Sequence, residues 1–167
     1  MTRYQLLARG VRDTVAGLDI APGQTGWSMY QDWLAAGGQP EPYRAPEVPL
    51  ADRQSRAWSD IQEIRERIKR GGVLASGKWF HTDDSSRIQQ LGLTMMGATM
   101  PAGIQWKTMD GSFIEMAPTL AAQIFAAVAA LDLAAFAAGE THRAAMLASA
   151  TPETYDASAG WPEVYPG

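Results

Sequence analysis

The chain has 167 residues, a formal net charge of −4 and no cysteine. This length supports a single domain, or one domain with a small annex, and the acidic balance excludes the basic surface that holds nucleic acid. Without cysteine, disulfide frameworks, thiolate zinc sites and a cysteine nucleophile are excluded as well. The most hydrophobic segment, residues 120–138, is interrupted by Gln123 and Asp132, so we expect no insertion in a membrane.

Residues 1–38 have the pattern of a small module that begins with β-structure. Two short apolar runs, YQLLA and LDI, flank the polar, turn-rich segment RGVRDTVAG. This pattern favours a small antiparallel hairpin or meander.

A short helix with one aromatic face is expected next. Its aromatic residues recur at intervals of three, which places their side chains on one face of a helix; they are Trp27, Tyr30 and Trp33. Thr25 is the predicted N-cap, and Gly37 and Gly38 are the predicted stop. The three aromatic side chains are candidate interaction residues of an attachment module.

Residues 39–50 carry four prolines, which prevent both strand pairing and helix continuation. They are the predicted linker, and residues 51–167 are the predicted helical body. The body opens with an amphipathic helix over residues 51–70 that ends at two glycines. The apolar stripe of this helix consists of Trp58, Ile61, Ile64 and Ile68.

Two short hairpins are predicted within the body. The first comprises residues 73–80, with its turn at Ser76 and Gly77, and residues 83–86 lead from it into a helix that continues up to Gly97. The second has Asp110 and Gly111 between two strand-like runs, a pair that favours a type I′ turn because both central residues then adopt positive φ.

The composition of residues 118–150 predicts a long alanine-rich helix with Pro118 in its first turn. Residues along one side of it recur in steps of four or three, the spacing of a helix that packs against other helices. This seam consists of Leu120, Ile124, Val128, Leu131, Ala135, Ala138 and His142, of which the first four are candidate interaction residues. A second seam, Phe125, Leu133 and Phe136, flanks it.

The many alanines of this helix have small side chains, which favour close approach between helices of several chains. A homo-oligomer is therefore expected, with a trimer as the first candidate. The alternative is that Gly139 kinks the helix, which then folds back onto the hairpins of its own chain. The predicted fold class is α+β: an N-terminal hairpin and short helix, the linker, then helices with two hairpins and the long C-terminal helix.

One segment, GKWFHTDDSSRIQ, crowds polar residues together. His81, Asp83 and Asp84 resemble a metal or acid/base cluster, but their spacing matches no ligand pattern with a known mechanism. We favour a helix start, with Thr82 or Asp83 as the N-cap and Asp84 at the positive end of the helix. No nucleophile-elbow, zinc-protease or phosphate-loop motif occurs, so we predict no catalytic residue, no metal and no cofactor.

Four tryptophans allow one further interpretation of the chemistry. They could line a sugar-binding groove, although packing anchors for small elements explain them better; they are Trp33, Trp79, Trp106 and Trp161.

Two stretches carry a resemblance to known families. Within residues 61–145, GKWFHTDDSSRIQ, PAGIQWKTMDGSFIEM and the alanine-rich helix resemble a family of bacteriophage and prophage proteins known only as a domain of unknown function. Members of that family are typically encoded beside tail fibre genes. The segment GVRDTVAGLDIAP and the aromatic and proline pattern of residues 27–42 are similar to the N-terminal module of phage tail fibre and tail fibre assembly proteins.

The resemblance implies a phage tail context and no reaction. The function it implies first is a non-enzymatic structural component at the tail tip, baseplate or fibre attachment, with tail fibre or baseplate proteins as partners. Such a protein would reside in the virion tail, and in the host cytoplasm during assembly. The alternative it implies is a tail fibre assembly chaperone that is absent from the mature virion.

Overall fold

Four helices and three small antiparallel sheets make up the computed structural model, which describes residues 2–167. The predicted α+β class is therefore confirmed. The chain divides into two compact units, Met1–Val48 and Pro49–Gly167.

The first unit is a three-stranded meander followed by a short helix. Its strands are β1 (Tyr4–Leu6), β2 (Val11–Asp13) and β3 (Leu18–Ile20), paired in sequence order, and its helix is α1 (Trp27–Ala35). Tyr4 pairs with Asp13, and Val11 pairs with Ile20. Of the predicted hairpin or meander, the structure has the meander: the two apolar runs form β1 and β3, and the segment between them supplies the central strand β2.

The sequence predicted the C-terminal end of α1 correctly but not its N-terminal end. The N-cap is Gly26 and not Thr25, and no side chain supplies a capping hydrogen bond. At the other end, the Gly38 amide donates to the Trp33 carbonyl at 2.9 Å. A Cβ on Gly38 would lie 2.2 Å from the Trp33 indole, so this stop requires glycine because of the close approach.

The proline-rich segment begins as part of the first unit. The Leu6 amide donates to the Glu41 carbonyl at 2.8 Å, and the Glu41 amide donates to the Tyr4 carbonyl at 2.9 Å. The start of the predicted linker is thus held along the edge of β1, while residues 42–49 have no regular structure.

The second unit contains three helices and two hairpins. In chain order they are α2 (Leu50–Lys69), β4 (Val73–Ala75), β5 (Lys78–Phe80), α3 (Asp84–Met96), β6 (Gln105–Lys107), β7 (Phe113–Glu115) and α4 (Pro118–Ala148). Single 3-10 turns lie at Gly97–Thr99 and Pro152–Thr154. Each helix and hairpin that was predicted for the body is present.

The two hairpins turn in different ways. Ser76 and Gly77 both have positive φ, 48° and 76°, as a type I′ turn requires. In the second loop Gly111 has a positive φ of 82°, whereas the φ of Asp110 is not positive. The type I′ prediction at Asp110 is therefore wrong: the longer loop is closed by the Thr108 amide, which donates to the Ser112 carbonyl at 2.9 Å.

The main core of the second unit surrounds the first half of α4. Phe80 and Ile124 are fully buried in it, and Met116 is 2% exposed. The segment after α4 packs on the same unit, because the Tyr165 amide donates to the Gly71 carbonyl at 2.9 Å. Gly71 allows this approach, since a Cβ there would lie 2.7 Å from the Val164 side chain.

Candidate interaction surface

The seam predicted to join several chains lies inside the body. Its four candidate interaction residues are buried in the main core, where they share one cluster with Val73 of β4 and Phe80 of β5; they are Leu120, Ile124, Val128 and Leu131. For Leu120, Ile124 and Leu131 the assignment as contacts to other chains is corrected, because the chain's own hairpin and helices already cover them. Val128, which is 8% exposed, also lines the groove described below. The alternative prediction, that the helix packs on the hairpins of its own chain, agrees with this packing. Its predicted break at Gly139 is absent, because α4 continues through that residue.

The second seam is exposed. Phe125, Leu133 and Phe136 keep 45%, 74% and 57% of their surface accessible. On α3, Ile88, Leu91 and Met95 are 71%, 43% and 80% exposed, and their spacing of three and four places them on one side of that helix. We call these six side chains the outer face.

A groove runs between α3 and α4 within the outer face. It encloses about 270 Å³, and its apolar lining includes Ile88, Leu91, Phe125 and Val128. This volume is below the roughly 300–1,000 Å³ of small-molecule sites, and it suits a single inserted side chain better than a cofactor.

A second depression continues the surface along α4. Leu133 and Phe136 line it together with Arg65, Glu66 and Lys69 of α2. Asp132 lines both this depression and the groove, so the two adjoin. The apolar side chains of the outer face therefore come from α3 and α4, and charged residues of α2 border them.

The charges next to the outer face are paired. Arg87 donates to both carboxylate oxygens of Asp132, at 2.7 and 2.9 Å. The guanidinium of Arg65 lies 5.8 Å from the centre of the Phe136 ring, and Arg65 donates to Glu66 at 3.0 Å. Such pairing lowers the cost of covering this surface, because no lone charge would have to leave water.

Arg87 also fixes the position of α3. Its guanidinium donates to the Thr82 carbonyl at 2.7 Å and to the Lys69 carbonyl at 2.6 Å. Thr82 is fully buried, and its hydroxyl accepts a hydrogen bond from the Gly72 amide at 2.9 Å. These contacts join the end of α2, the start of α3 and the middle of α4, and thus set the shape of the groove.

The aromatic residues of α1 form the core of the first unit. The Tyr30 ring lies 5.1 Å from the Tyr4 ring, and the Trp33 ring also lies 5.1 Å from the Tyr4 ring. Tyr30 is buried, so its assignment as an interaction residue is corrected: it packs on the sheet of its own unit. Trp27 and Trp33 are half-buried against the same cluster, and their role in partner binding stays a prediction.

The polar segment around His81 is a helix start. The Asp83 carboxylate accepts hydrogen bonds from the Ser86 amide, the Ser85 hydroxyl and the Ser86 hydroxyl, at 3.0, 2.7 and 2.6 Å. These bonds hold the pKa of Asp83 well below its usual range. Asp84 is exposed and pairs with Arg70 at 3.2 Å. Within residues 2–167 no three His, Cys, Asp or Glu residues are grouped as a metal site would require.

Replacing Asp83 with Ala should lower the free energy of unfolding by about 1 kcal/mol at pH 7 through the loss of this cap. Because the folded-state pKa is lowered, the carboxylate stabilises the fold above its unfolded pKa of about 4, and this contribution is lost as the pH falls toward the folded pKa. Urea denaturation at several pH values measures the difference. Asp84→Ala is the control, and an equal effect of both variants would refute the cap.

Three of the four tryptophans considered for a sugar groove lie in separate contacts of the second unit. Trp79 lies 6.0 Å from Tyr165, and Trp161 stacks on His142 at 4.9 Å between ring centres. Trp106 packs against the main core. Each therefore anchors a different small element.

Comparison with known proteins assigns the second unit to a family. The family model described as a domain of unknown function (DUF4376) matches residues 52–159, more than half of the chain. The chain belongs to this family. No curated protein and no solved structure matches the chain.

The family match lies within the second unit and contains both seams of α4 as well as the exposed stripe of α3. Its description states no activity, partner or phage association. The helix α4 is long and apolar enough to cross a membrane, with a mean hydropathy of 1.9 over 18 residues, of which 33% are buried in this fold. The expected absence of membrane insertion thus stays a prediction.

Proposed function

We propose that this protein is a non-enzymatic structural component of a bacteriophage tail, at the tip, the baseplate or the fibre attachment, and that it acts by protein–protein interaction. The observation that carries the proposal is the outer face. Six large apolar side chains are exposed there on two adjacent helices, whereas monomeric soluble proteins rarely expose contiguous apolar patches of more than a few hundred Å². Such a surface is typical of a subunit that works inside an assembly.

The tail context rests on the resemblance of residues 61–145 and 27–42 to phage tail-associated proteins. The two-unit organisation supports it, because a small N-terminal unit followed by proline-rich chain suits attachment to one component while the body contacts another. Tail fibre or baseplate proteins are the proposed partners.

Mass spectrometry of purified virions tests this function. The structural role predicts the protein in stoichiometric copies, with a known tail protein of the same particles as the copy-number reference. If the protein is abundant in lysing cells but missing from particles banded on a density gradient, the structural role is wrong.

A tail fibre assembly chaperone is the second candidate. Met95 and Met96 favour it, because they are 80% and 48% exposed and flexible thioether side chains adapt to varied apolar clients. A chaperone would copurify with fibre protein before assembly and would be absent from the virion. The same measurement therefore separates the two candidates.

A further inference from the structure

We infer that the outer face binds a second copy of this chain, with the two copies related by a two-fold axis. The inference deepens the proposed function, on which it rests for the role of the face as an assembly contact, and it names the partner. Three features of the face support it: its area, its shape and its charge.

The area of the face matches one side of a stable dimer. At the exposures given above, and with roughly 150–200 Å² for each fully exposed large apolar side chain, the six residues present on the order of 600 Å². Two such faces together would bury about 1,200 Å², the lower end of the range for specific interfaces. The composition, Ile, Leu, Met and Phe, resembles the apolar contacts of permanent homodimers more than those of transient pairs.

The face carries both a groove and highly exposed apolar side chains. The groove of about 270 Å³ lies beside Phe125, and Leu133 and Phe136, which are 74% and 57% exposed, lie two to three turns further along α4. A two-fold axis between these features would place Leu133 and Phe136 of each copy over the groove of the other. This arrangement makes one surface complementary to itself, which is the requirement of an isologous contact.

The paired charges suit burial against an identical surface. Arg87 and Asp132 neutralise each other at the junction of the groove and the second depression, so a second copy brings no unpaired like charge to that point. An apolar contact of this kind should persist in high salt, unlike a contact between exposed charges.

Sedimentation equilibrium of the full chain, between about 1 and 100 µM, tests the inference. We expect a species of twice 18.1 kDa that persists in high salt. Phe136→Asp should raise the dissociation constant at least tenfold. Phe113→Asp is the matched control, because Phe113 is 64% exposed on β7 and lines neither the groove nor the second depression, and this variant should leave the constant within about twofold.

Circular dichroism of each variant confirms that it folds, and Leu133→Asp replaces Phe136→Asp if the latter does not. A mass of 18.1 kDa at every concentration overturns the inference. If the monomer is nevertheless incorporated in virions, the face binds another tail protein and the proposed function survives. A trimer also overturns the inference, and so does a dimer whose dissociation constant is unchanged in Phe136→Asp and Leu133→Asp. A monomer that sediments with phosphatidylglycerol vesicles, and loses this binding in Phe136→Asp, overturns it as well.

Discussion

Replacing Ile124 with Ala is expected to lower the free energy of unfolding of the second unit by about 2–5 kcal/mol. Ile124 is fully buried in α4, in the cluster that also contains Phe80 and Met116. The substitution removes three carbons from a site that is closed on every side, so the loss of apolar transfer energy is joined by the cost of a cavity.

Leu133→Ala, on the same helix, is the matched control. Leu133 is 74% exposed in the single chain, so at protein concentrations below the range of dimer formation its truncation should change the free energy of unfolding by no more than about 0.5 kcal/mol. Urea denaturation followed by tryptophan fluorescence measures both values. If the two variants lose similar stability, the assignment of the two seams to core and surface is wrong.

Arg87→Met should cost about 2–3 kcal/mol of stability, because four hydrogen bonds of one guanidinium are lost together. The Lys69 and Thr82 carbonyls would each lose one hydrogen bond, and the Asp132 carboxylate would lose two. The value is below that of a fully buried ion pair, because the Arg87 side chain is 22% exposed and the Asp132 side chain 35% exposed.

Arg70→Met controls for the loss of one positive charge. Arg70 pairs with Asp84 at 3.2 Å, and both side chains are well exposed, so the loss should stay below about 1 kcal/mol. Arg87→Lys should recover only part of the stability lost in Arg87→Met, because an ammonium group cannot donate in the several fixed directions of the planar guanidinium group. Full recovery in Arg87→Lys, measured by thermal and urea unfolding, would contradict the role given to the guanidinium geometry.

The local elements could be predicted because their signals are local. Two glycines follow the end of α2, Ser76 and Gly77 form the first turn, and Asp83 caps α3. Each signal depends on backbone preferences within a few residues. The N-cap of α1 was missed because Gly26 fits closely against Ile20, where a Cβ would lie 3.2 Å from the Ile20 Cδ1 atom.

The position of the exposed apolar face could not be predicted in the same way. Periodicity shows that a helix carries an apolar stripe, but not which element covers that stripe. On α4 two stripes compete, and β4, β5 and α3 cover the one that contains Ile124. The stripe of Ile88, Leu91 and Met95 was missed for the same reason, since its spacing is that of a buried face.

Cysteine labelling measures most directly which seam of α4 contacts another chain. The chain contains no cysteine, so Leu133→Cys and Leu131→Cys each provide a single thiol, one on the outer face and one in the core. We expect the labelling rate of Leu133→Cys with a maleimide to fall as protein concentration rises, while Leu131→Cys stays protected at every concentration. A rate for Leu133→Cys that does not depend on concentration, or protection of Leu131→Cys that appears only at high concentration, would contradict the assignment.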